Sequence, residues 1–437
     1  MALEALIERR ETPFFLFSER RLVANYQALA AGLASAGGDV TLRYCAKANS
    51  EAGVLAVLAR EGSALLASHL AEVELALACG FPPSRVAYQR PAPPAAEIEA
   101  VLDAGVRLLH VLRPEDVDLF RRQAERRGLT LRLSLRLREE GGLLRSPFAR
   151  LNARLGLSAP EARAVAAACR DRGGLEVAAL NLYAGTQRAG ARGFDRGLRH
   201  ACALARDWAV EGVAEIEEIN LGGGVPSPSL RRLSPRHLWA RWRDRPNAAP
   251  GGDGALDGGA TARLEAFARR LAERYRAIAA RTGLARVPAL AAEPGRAIVG
   301  NAGVLVSRVA AVGEGWVFLD ASRNFLGESP LLFRRAILAV RPGGETARFV
   351  HLSGNTLNTM DVIDVRRRLP ALRVGDALAF CDAGAYSISR ASRYAGLSPA
   401  VWLLDRAGAV RAIRRAEDAR DLMGPMAPAW ALPAARE

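Results

Sequence analysis

The chain has 437 residues, half of them apolar and 24% charged, so it can form a large globular domain together with a smaller one. No apolar run reaches the roughly 18–20 residues of a membrane span, and the N-terminal residues lack the plan of a signal peptide, so we expect a cytoplasmic protein. The net charge is +15, but the arginines alternate with acidic residues and form no basic block, which argues against nucleic acid and leaves an anionic cofactor, substrate or carrier protein.

Short apolar strand patterns alternate with amphipathic helical patterns between about residues 40 and 295. The predicted strands are 40–46, 64–67, 85–88, 107–111, 129–135, 175–183, 215–221 and 289–293. The predicted helices are 51–61, 71–79, 94–103, 114–127, 159–171, 193–210 and 260–282. This alternation over ~250 residues predicts an α/β fold, a (β/α)8 TIM barrel.

After residue 300 the pattern changes to β-type segments separated by turn signals, at 303–312, 316–319, 335–341, 348–353, 377–381 and 401–404. We therefore predict a barrel over residues 36–300 and an all-β domain made of residues 1–35 and 301–437, to which residues 13–17 could add a strand. Residues 226–260 are rich in Pro, Gly, Arg and Trp with little periodicity, and we predict a long loop there.

Lys47 is the only lysine among the chain's 61 lysine and arginine residues. Arginine can replace lysine as a surface charge but not as an amine nucleophile, because its guanidinium stays protonated (pKa above ~12). The chemistry that requires a lysine amine is Schiff-base formation with a carbonyl. The alternative is drift toward arginine that spared one lysine by chance, so the rest of the sequence must decide.

Lys47 follows predicted strand 1, and the active sites of (β/α)8 barrels lie at the C-terminal ends of the strands. Predicted strand 7 is followed by glycines whose backbone N–H groups can surround a phosphate, Gly222, Gly223 and Gly224. Predicted strand 8 ends in the acid Glu293, followed by the turn residue Gly295 and the cation Arg296. A lysine amine, a phosphate site and an acid for a pyridine nitrogen are what pyridoxal phosphate requires.

Two further points complete this candidate site. Arg136 follows predicted strand 5 and would lie near the cofactor ring, with a salt bridge at the barrel rim as the alternative. The five histidines and five cysteines show no metal-ligand spacing, so we expect no metal.

With these residues the chain resembles the fold type III pyridoxal-phosphate-dependent decarboxylases, the diaminopimelate, ornithine and arginine decarboxylase branch of the alanine-racemase-like enzymes. Residues 44–49 around Lys47 resemble the family's Schiff-base segment, and residues 222–224 and 293–296 resemble its phosphate and pyridine-nitrogen segments. Residues 179–187, with Tyr183 and Thr186, resemble its strand-6 cofactor motif. Residues 381–386 resemble the motif whose tyrosine, here Tyr386, reaches the phosphate across a dimer interface, so the resemblance implies a homodimer.

The departures from the family pattern concern the substrate. Tyr183 stands where the family has a histidine that stacks on the cofactor ring; tyrosine can still stack but carries no imidazolium charge. Residues 354–361 align with a segment in which a cysteine protonates the α-carbon and the next residue is an acid that recognises a distal ammonium; these positions hold Leu357 and Asn358. Asp361 would serve the shared site or cap a turn, and Phe333 stands where a tyrosine is usual.

We therefore expect a pyridoxal-phosphate-dependent carboxy-lyase that decarboxylates an atypical amino acid or an amino-acid-bearing intermediate of specialised metabolism, of the siderophore or carrier-protein-bound type. The acid missing at Asn358 argues against diaminopimelate, ornithine and lysine. The predicted catalytic residues are Lys47, Tyr183 and Glu293, with Lys47 also replacing the absent proton donor. The alternatives are an amino-acid racemase or epimerase, in which Lys47 and Tyr183 form the acid–base pair, and a non-catalytic cofactor-binding or carrier-interaction protein.

Overall fold

The computed structural model describes residues 3–35, 37–138, 154–188, 190–232, 259–327, 333–340 and 346–425. Among these, residues 19–230 and 259–302 form one compact unit, and residues 3–18, 231–232 and 303–425 form a second. The first unit contains a barrel and the second is mostly β-structure. None of the helices in the described ranges is long and apolar enough to cross a membrane.

A closed barrel of parallel strands forms the centre of the first unit. Its eight strands, numbered here barrel strands 1 to 8 in chain order, are Val40–Cys45, Ala64–Ala67, Val86–Tyr88, Leu108–Val111, Leu131–Arg136, Leu175–Asn181, Glu218–Asn220 and Ala289–Ala292. Barrel strand 8 closes the ring by pairing with barrel strand 1, with Leu290 opposite Val40. Each strand overlaps its predicted range, so the predicted (β/α)8 barrel is confirmed. The strands read as short Leu-, Val- and Ala-rich runs because parallel strands are covered on both faces.

Helices separate the barrel strands along the chain. In the described part of this unit they are Glu19–Ala34, Ala52–Arg60, Leu70–Ala78, Ala95–Asp103, Asp116–Arg127, Ala159–Arg172, Asp195–Val210, Ala260–Thr282 and Arg296–Val299. Helix Ala159–Arg172 begins with a capping box, in which the Ser158 hydroxyl accepts a hydrogen bond from the Glu161 backbone N–H and the Glu161 carboxylate accepts one from the Ser158 N–H. The seven predicted helices are confirmed.

The barrel unit begins at residue 19, with helix Glu19–Ala34, and not at the predicted residue 36. This helix buries Leu22, Leu29 and Leu33 on one face and packs along helix Ala260–Thr282. Gly32 permits this close approach, because a Cβ there would lie 2.5 Å from the Glu265 carbonyl oxygen. The predicted boundary was set at the first strand pattern, which overlooked a helix that belongs to the barrel unit.

The second unit contains a nine-stranded sheet. Its strands are Phe14–Ser18, Gly303–Gly313, Trp316–Leu319, Ile337–Val340, Ala347–Ser353, Val362–Pro370, Ala377–Phe380, Ala400–Leu404 and Val410–Arg414. Phe14–Ser18 pairs antiparallel with Gly303–Gly313 and parallel with Ala400–Leu404, so the predicted N-terminal strand is confirmed. Strands Val362–Pro370 and Val410–Arg414 were not predicted, because their arginines interrupt the apolar alternation.

The remaining elements of this unit are short. They are helices Leu3–Arg9 and Ala419–Met423 and a two-stranded ribbon of Arg231–Arg232 with Phe333–Arg334. Most of the predicted loop 226–260 lies outside the described residues, since residues 233–258 are not among them.

Candidate active site

The chain segments that follow barrel strands 1, 7 and 8 lie next to one another. The Cys45 backbone N–H donates to the Pro294 carbonyl oxygen at 3.3 Å, and the Glu293 N–H donates to the Gly222 carbonyl oxygen at 2.9 Å. Gly295 faces Ala48 so closely that a Cβ on it would lie 2.7 Å from the Ala48 Cβ. The three segments that the sequence indicated as one site are therefore brought together at the C-terminal ends of the strands.

Lys47 lies in a single 3-10 turn, Ala46–Ala48, directly after barrel strand 1. Its neighbours Ala46 and Ala48 are fully buried while Lys47 itself is exposed. The turn is held by Asn49, whose side-chain oxygen accepts from the Glu51 N–H at 2.9 Å and whose carbonyl accepts from the Tyr44 hydroxyl at 2.9 Å. A rigid, buried turn thus presents one amine.

Buried acids surround this amine. Burial raises the pKa of both Glu72 and Glu293, and the charge of Lys47 opposes that rise in each. Glu72 also accepts a hydrogen bond from the Ser68 N–H at 2.6 Å, and the imidazole of His69 lies 3.6 Å from its other oxygen. Burial raises the pKa of the Cys45 thiol to about 11, so that group stays protonated.

Glu293 is held by amides on one oxygen only. Its Oε1 accepts from Asn220 Nδ2 at 2.7 Å and from Asn181 Nδ2 at 3.2 Å. Within the described residues no donor reaches Oε2. Burial raises the pKa of Glu293, while the charges of Arg43, Lys47 and Arg136 and the Asn220 hydrogen bond lower it. The amides therefore orient the carboxylate and the nearby cations support its charge.

His110 is a site residue that sequence reasoning missed. It lies on barrel strand 4, is 1% exposed, and places Nε2 3.6 Å from Glu293 Oε1. Its Nδ1 lies 3.3 Å from Gln89 Nε2. Burial lowers the pKa of His110 to about 3, so the ring is neutral. The available signal was one histidine inside an otherwise apolar strand, where a polar group needs a partner.

Arg136 and Tyr183 form a stacked pair at the ends of barrel strands 5 and 6. The Arg136 guanidinium carbon lies 4.7 Å from the centre of the Tyr183 ring, a cation–π distance. Burial lowers the pKa of Arg136, and the carboxylate of Glu293 opposes that effect. Arg136 therefore lies within electrostatic reach of Glu293, and Tyr183 stacks on Arg136.

Two of the three glycines after barrel strand 7 lie where a side chain would not fit. Gly222 and Gly224 have φ of 65° and 98°, which favour glycine, and a Cβ on either would overlap a carbonyl oxygen, that of Leu182 or of Gly185 respectively. The Gly222 N–H is already bound to Asn220 Oδ1 at 2.9 Å. In the described part of the chain the N–H groups of Gly223 and Gly224 donate no hydrogen bond, so these two are available to an anion.

The other predicted cofactor residues of the barrel unit lie on the flanks of this region. Thr186 is exposed in the turn after barrel strand 6, and Gly295 precedes the short helix Arg296–Val299, whose first residue is buried. Their roles toward a cofactor stay predictions.

The predicted substrate residues and Tyr386 belong to the second unit. The Leu357 side chain is fully exposed, at 101% of its reference area, at the tip of the loop that joins strands Ala347–Ser353 and Val362–Pro370. Asn358 lies beside it and accepts from the Met360 N–H at 2.9 Å. Phe333 is half-buried, as is Tyr386, which has a φ of 56°.

Asp361 holds that loop in shape. Its Oδ1 accepts from the Ser322 hydroxyl at 3.0 Å and from the Arg323 N–H at 2.8 Å. Its Oδ2 accepts from the Thr356 hydroxyl at 2.6 Å and N–H at 3.2 Å. The carboxylate is thus occupied by protein donors, which supports the turn-capping role over substrate binding.

The residues of the barrel unit fit pyridoxal phosphate. Within the described residues, an exposed lysine amine, a carboxylate with one oxygen that accepts no hydrogen bond and two backbone N–H groups that donate none match its aldehyde, pyridine nitrogen and phosphate. These groups lie on a (β/α)8 barrel in a chain that also has a β-rich unit. This combination is typical of one class of pyridoxal-phosphate enzymes.

The chain belongs to the pyridoxal-dependent decarboxylase family, because the family model of the pyridoxal-binding domain matches residues 20–300. It is 29% identical to the diaminopimelate decarboxylase of Pseudomonas aeruginosa over 431 residues, covering 97% of this chain and 94% of that protein. It is 27% identical to the diaminopimelate decarboxylase of Methanothermobacter thermautotrophicus, covering 96% and 92%. It is thus a pyridoxal-phosphate-dependent carboxy-lyase.

Solved structures share the whole fold. Diaminopimelate decarboxylase from M. jannaschii, in complex with L-lysine, superposes with a TM-score of 0.84 at 22% identity, covering 98% of this chain and 95% of that one. The Helicobacter pylori enzyme with L-lysine gives 0.81 at 21% identity, covering 97% and 98%. At these identities the likeness establishes the fold and leaves the substrate open.

Proposed function

We propose that this decarboxylase acts on an amino acid whose side chain does not end in an ammonium group, or on an amino-acid-bearing intermediate. The observation that carries the proposal is the pair Leu357 and Asn358 at the tip of the loop that Asp361 holds. A hydrocarbon and a neutral amide stand where the resemblance expects a proton donor and an acid. An amide oxygen can accept a hydrogen bond from an ammonium group but has no negative charge to pair with it, so it selects that group less strongly than a carboxylate does.

In this proposal the residues of the barrel unit would bind the cofactor. Pyridoxal phosphate, when bound, supplies an electron sink for the charge that decarboxylation leaves on the α-carbon. Lys47 would be the amine that binds its aldehyde, and Glu293 would accept the hydrogen bond from its pyridine nitrogen. The N–H groups of Gly223 and Gly224 would hold its phosphate.

Lys47 carries a second task in this proposal. Leucine has no transferable proton, so a residue other than Leu357 must reprotonate the α-carbon. The Lys47 ammonium Nζ would hold the proton for the α-carbon, and the exposure of Lys47 on the Ala46–Ala48 turn supports this role. Tyr183, next to Arg136, is the aromatic face that would cover the cofactor ring.

The substrate class can be narrowed by charge. A formal net charge of +15 favours an anionic substrate, and amino acids attached to citrate or to a phosphopantetheine thioester carry carboxylate or phosphate charge. We also infer a homodimer, which size-exclusion chromatography with light scattering would test.

The deciding experiment measures CO2 release by the holoenzyme from a substrate panel. The panel contains meso-diaminopimelate, L-lysine, L-ornithine, neutral and acidic L-amino acids, and amino acids attached to citrate or to a phosphopantetheine thioester. We expect release from a member without a free distal ammonium and none from Lys47→Arg, which keeps the charge but loses the nucleophile. Reaction in D2O separates the racemase alternative, since α-deuteration without CO2 release would refute decarboxylation.

Diaminopimelate is the second candidate substrate. It is favoured by the names of the relatives, which this chain matches over nearly its full length. Turnover of meso-diaminopimelate as fast as any other member of the panel would contradict our proposal. The matched variant Asn358→Asp restores an acid at that position, and we expect it to raise kcat/KM for diamino substrates only.

A further inference from the structure

Buried polar groups other than the predicted cofactor residues converge on Glu293 inside the barrel. His110 lies on barrel strand 4 and is 1% exposed. Gln89 directly follows barrel strand 3 and is 7% exposed. Gln89 Nε2 lies 3.3 Å from His110 Nδ1, and His110 Nε2 lies 3.6 Å from Glu293 Oε1. Within the described residues His110 Nε2 has no hydrogen-bond partner, although it is completely buried. Such an atom requires a physical reason, because burying an unsatisfied polar group is costly.

The surroundings fix which nitrogen carries the proton. Nε2 faces a carboxylate oxygen, and a bare lone pair there would be repelled, so Nε2 bears the hydrogen. Nδ1 is then an acceptor, which suits the Gln89 amide as donor. The ring stays neutral because burial lowers the pKa of His110 to about 3, and the nearby cations Arg43, Arg136 and Lys47 act in the same direction while Glu218 opposes them.

We propose that Gln89 and His110 are positioning residues for the acid that pairs with the pyridine nitrogen. Nε2 of His110 lies 3.6 Å from Oε1 of Glu293, the oxygen that the amides of Asn181 and Asn220 bind, so the His110 N–H dipole supports the charge on that side and Oε2 remains for the cofactor. A neutral donor is required for this task. An imidazolium would form an ion pair with Glu293 and so weaken the interaction of that carboxylate with the cofactor ring.

This inference concerns the cofactor and is independent of the substrate proposed above. The first test is 15N NMR of histidine-labelled apoprotein, which identifies the tautomer of His110 directly. We expect the neutral Nε2–H form from about pH 6 to about pH 8. An ordinary histidine, with a pKa near 6.5, would become charged within this range. The Nδ1–H form, or a charged ring at pH 6, would overturn the proposal.

The second test uses holoenzyme loaded with pyridoxal phosphate labelled with 15N in its ring, and follows protonation of that nitrogen against pH. His110→Leu removes an N–H dipole that helps keep the buried Glu293 ionised, so we expect the ring nitrogen to lose its proton about one pH unit lower and the cofactor to bind about tenfold more weakly. His110→Gln keeps a neutral N–H donor and should restore both values. Equal shifts in the two variants would show that His110 only fills space.

A third variant keeps the cavity filled if His110→Leu fails to fold. Gln89→Glu replaces the amide donor at Nδ1 of His110 by an acceptor, which favours a proton on Nδ1. Either Nε2 then loses its hydrogen, or the ring carries both hydrogens and becomes a charged imidazolium. We expect the ring-nitrogen titration to shift in the same direction as in His110→Leu. An unshifted titration in folded Gln89→Glu would overturn the proposal that Gln89 and His110 position Glu293. The substrate panel above plays no part in these outcomes, so the two proposals can fail separately.

Discussion

Replacing Glu218 by leucine should destabilise the apoprotein by about 3–5 kcal/mol, because it leaves a buried arginine without its partner. Arg43 on barrel strand 1 donates to Glu218 on barrel strand 7 through both terminal nitrogens, at 2.7 and 2.8 Å. The two side chains are 10% and 15% exposed, so solvent screens the pair little. The expected cost corresponds to a shift of roughly two to four orders of magnitude in the unfolding equilibrium.

The chain contains a matched control one residue away. Glu217 pairs with Arg132, and these side chains are 47% and 48% exposed. For Glu217→Leu we expect a change below about 1 kcal/mol, since exposed ion pairs contribute little. The double variant Arg43→Met/Glu218→Leu removes both buried charges and should recover most of the stability lost in Glu218→Leu.

Urea unfolding of the apoproteins, followed by circular dichroism and fluorescence, measures these differences. Because the chain has two compact units, the transitions of the two probes must be compared before a free energy is assigned. If Glu218→Leu costs no more than Glu217→Leu, or the double variant is no better than the single one, the pair is not a buried electrostatic unit and the reasoning fails.

Two further predictions concern the cofactor groups. Gly222→Ala should weaken pyridoxal phosphate binding at least about tenfold, because the new Cβ meets the Leu182 carbonyl. The control is Gly212→Ala, which has the same φ of 65° but open space around it. It should lower the free energy of unfolding by only about 1 kcal/mol and leave the affinity for pyridoxal phosphate unchanged. Burial raises the pKa of Glu293 in the folded protein, so its contribution to stability is present below its unfolded pKa and lost as pH rises through the folded value. Apo Glu293→Gln should therefore be more stable than the unsubstituted protein at neutral pH, with the difference vanishing below about pH 4, while cofactor binding weakens; equal stability at pH 7 in urea titrations would contradict this.

The barrel and the ends of its strands could be predicted because they depend on local pattern. Apolar runs of strand length alternate with amphipathic runs of helix length, and parallel strands bring their C-terminal ends to one face of the barrel. That rule alone placed Lys47 beside Glu293. The helix Glu19–Ala34 escaped prediction because its apolar spacing is interrupted by polar and small residues.

The supporting polar groups could not be predicted, because their partners are distant in sequence. His110 and Glu293 are 183 positions apart by residue number, and Arg43 and Glu218 are 175 apart. Whether a strand residue points into the barrel depends on closure of the ring and on the register of each pair, such as Leu290 opposite Val40. An isolated histidine in an apolar strand indicates a buried polar contact but not its partner.

The loop that carries Leu357 explains how the chemistry could change without a change of fold. Its shape depends on Asp361, which gathers donors from Ser322, Arg323 and Thr356, and on Gly354, where a Cβ would overlap the Asp361 carboxylate. The side chains of Leu357 and Asn358 supply none of the bonds to Asp361, and that of Leu357 is fully exposed. Substitution at Leu357 is therefore nearly free of structural cost, since exposed loop residues rarely affect stability, and substitution at Asn358 affects only its contact with the Met360 N–H. Selection for a new substrate could act there while the structural residues of the loop stayed fixed.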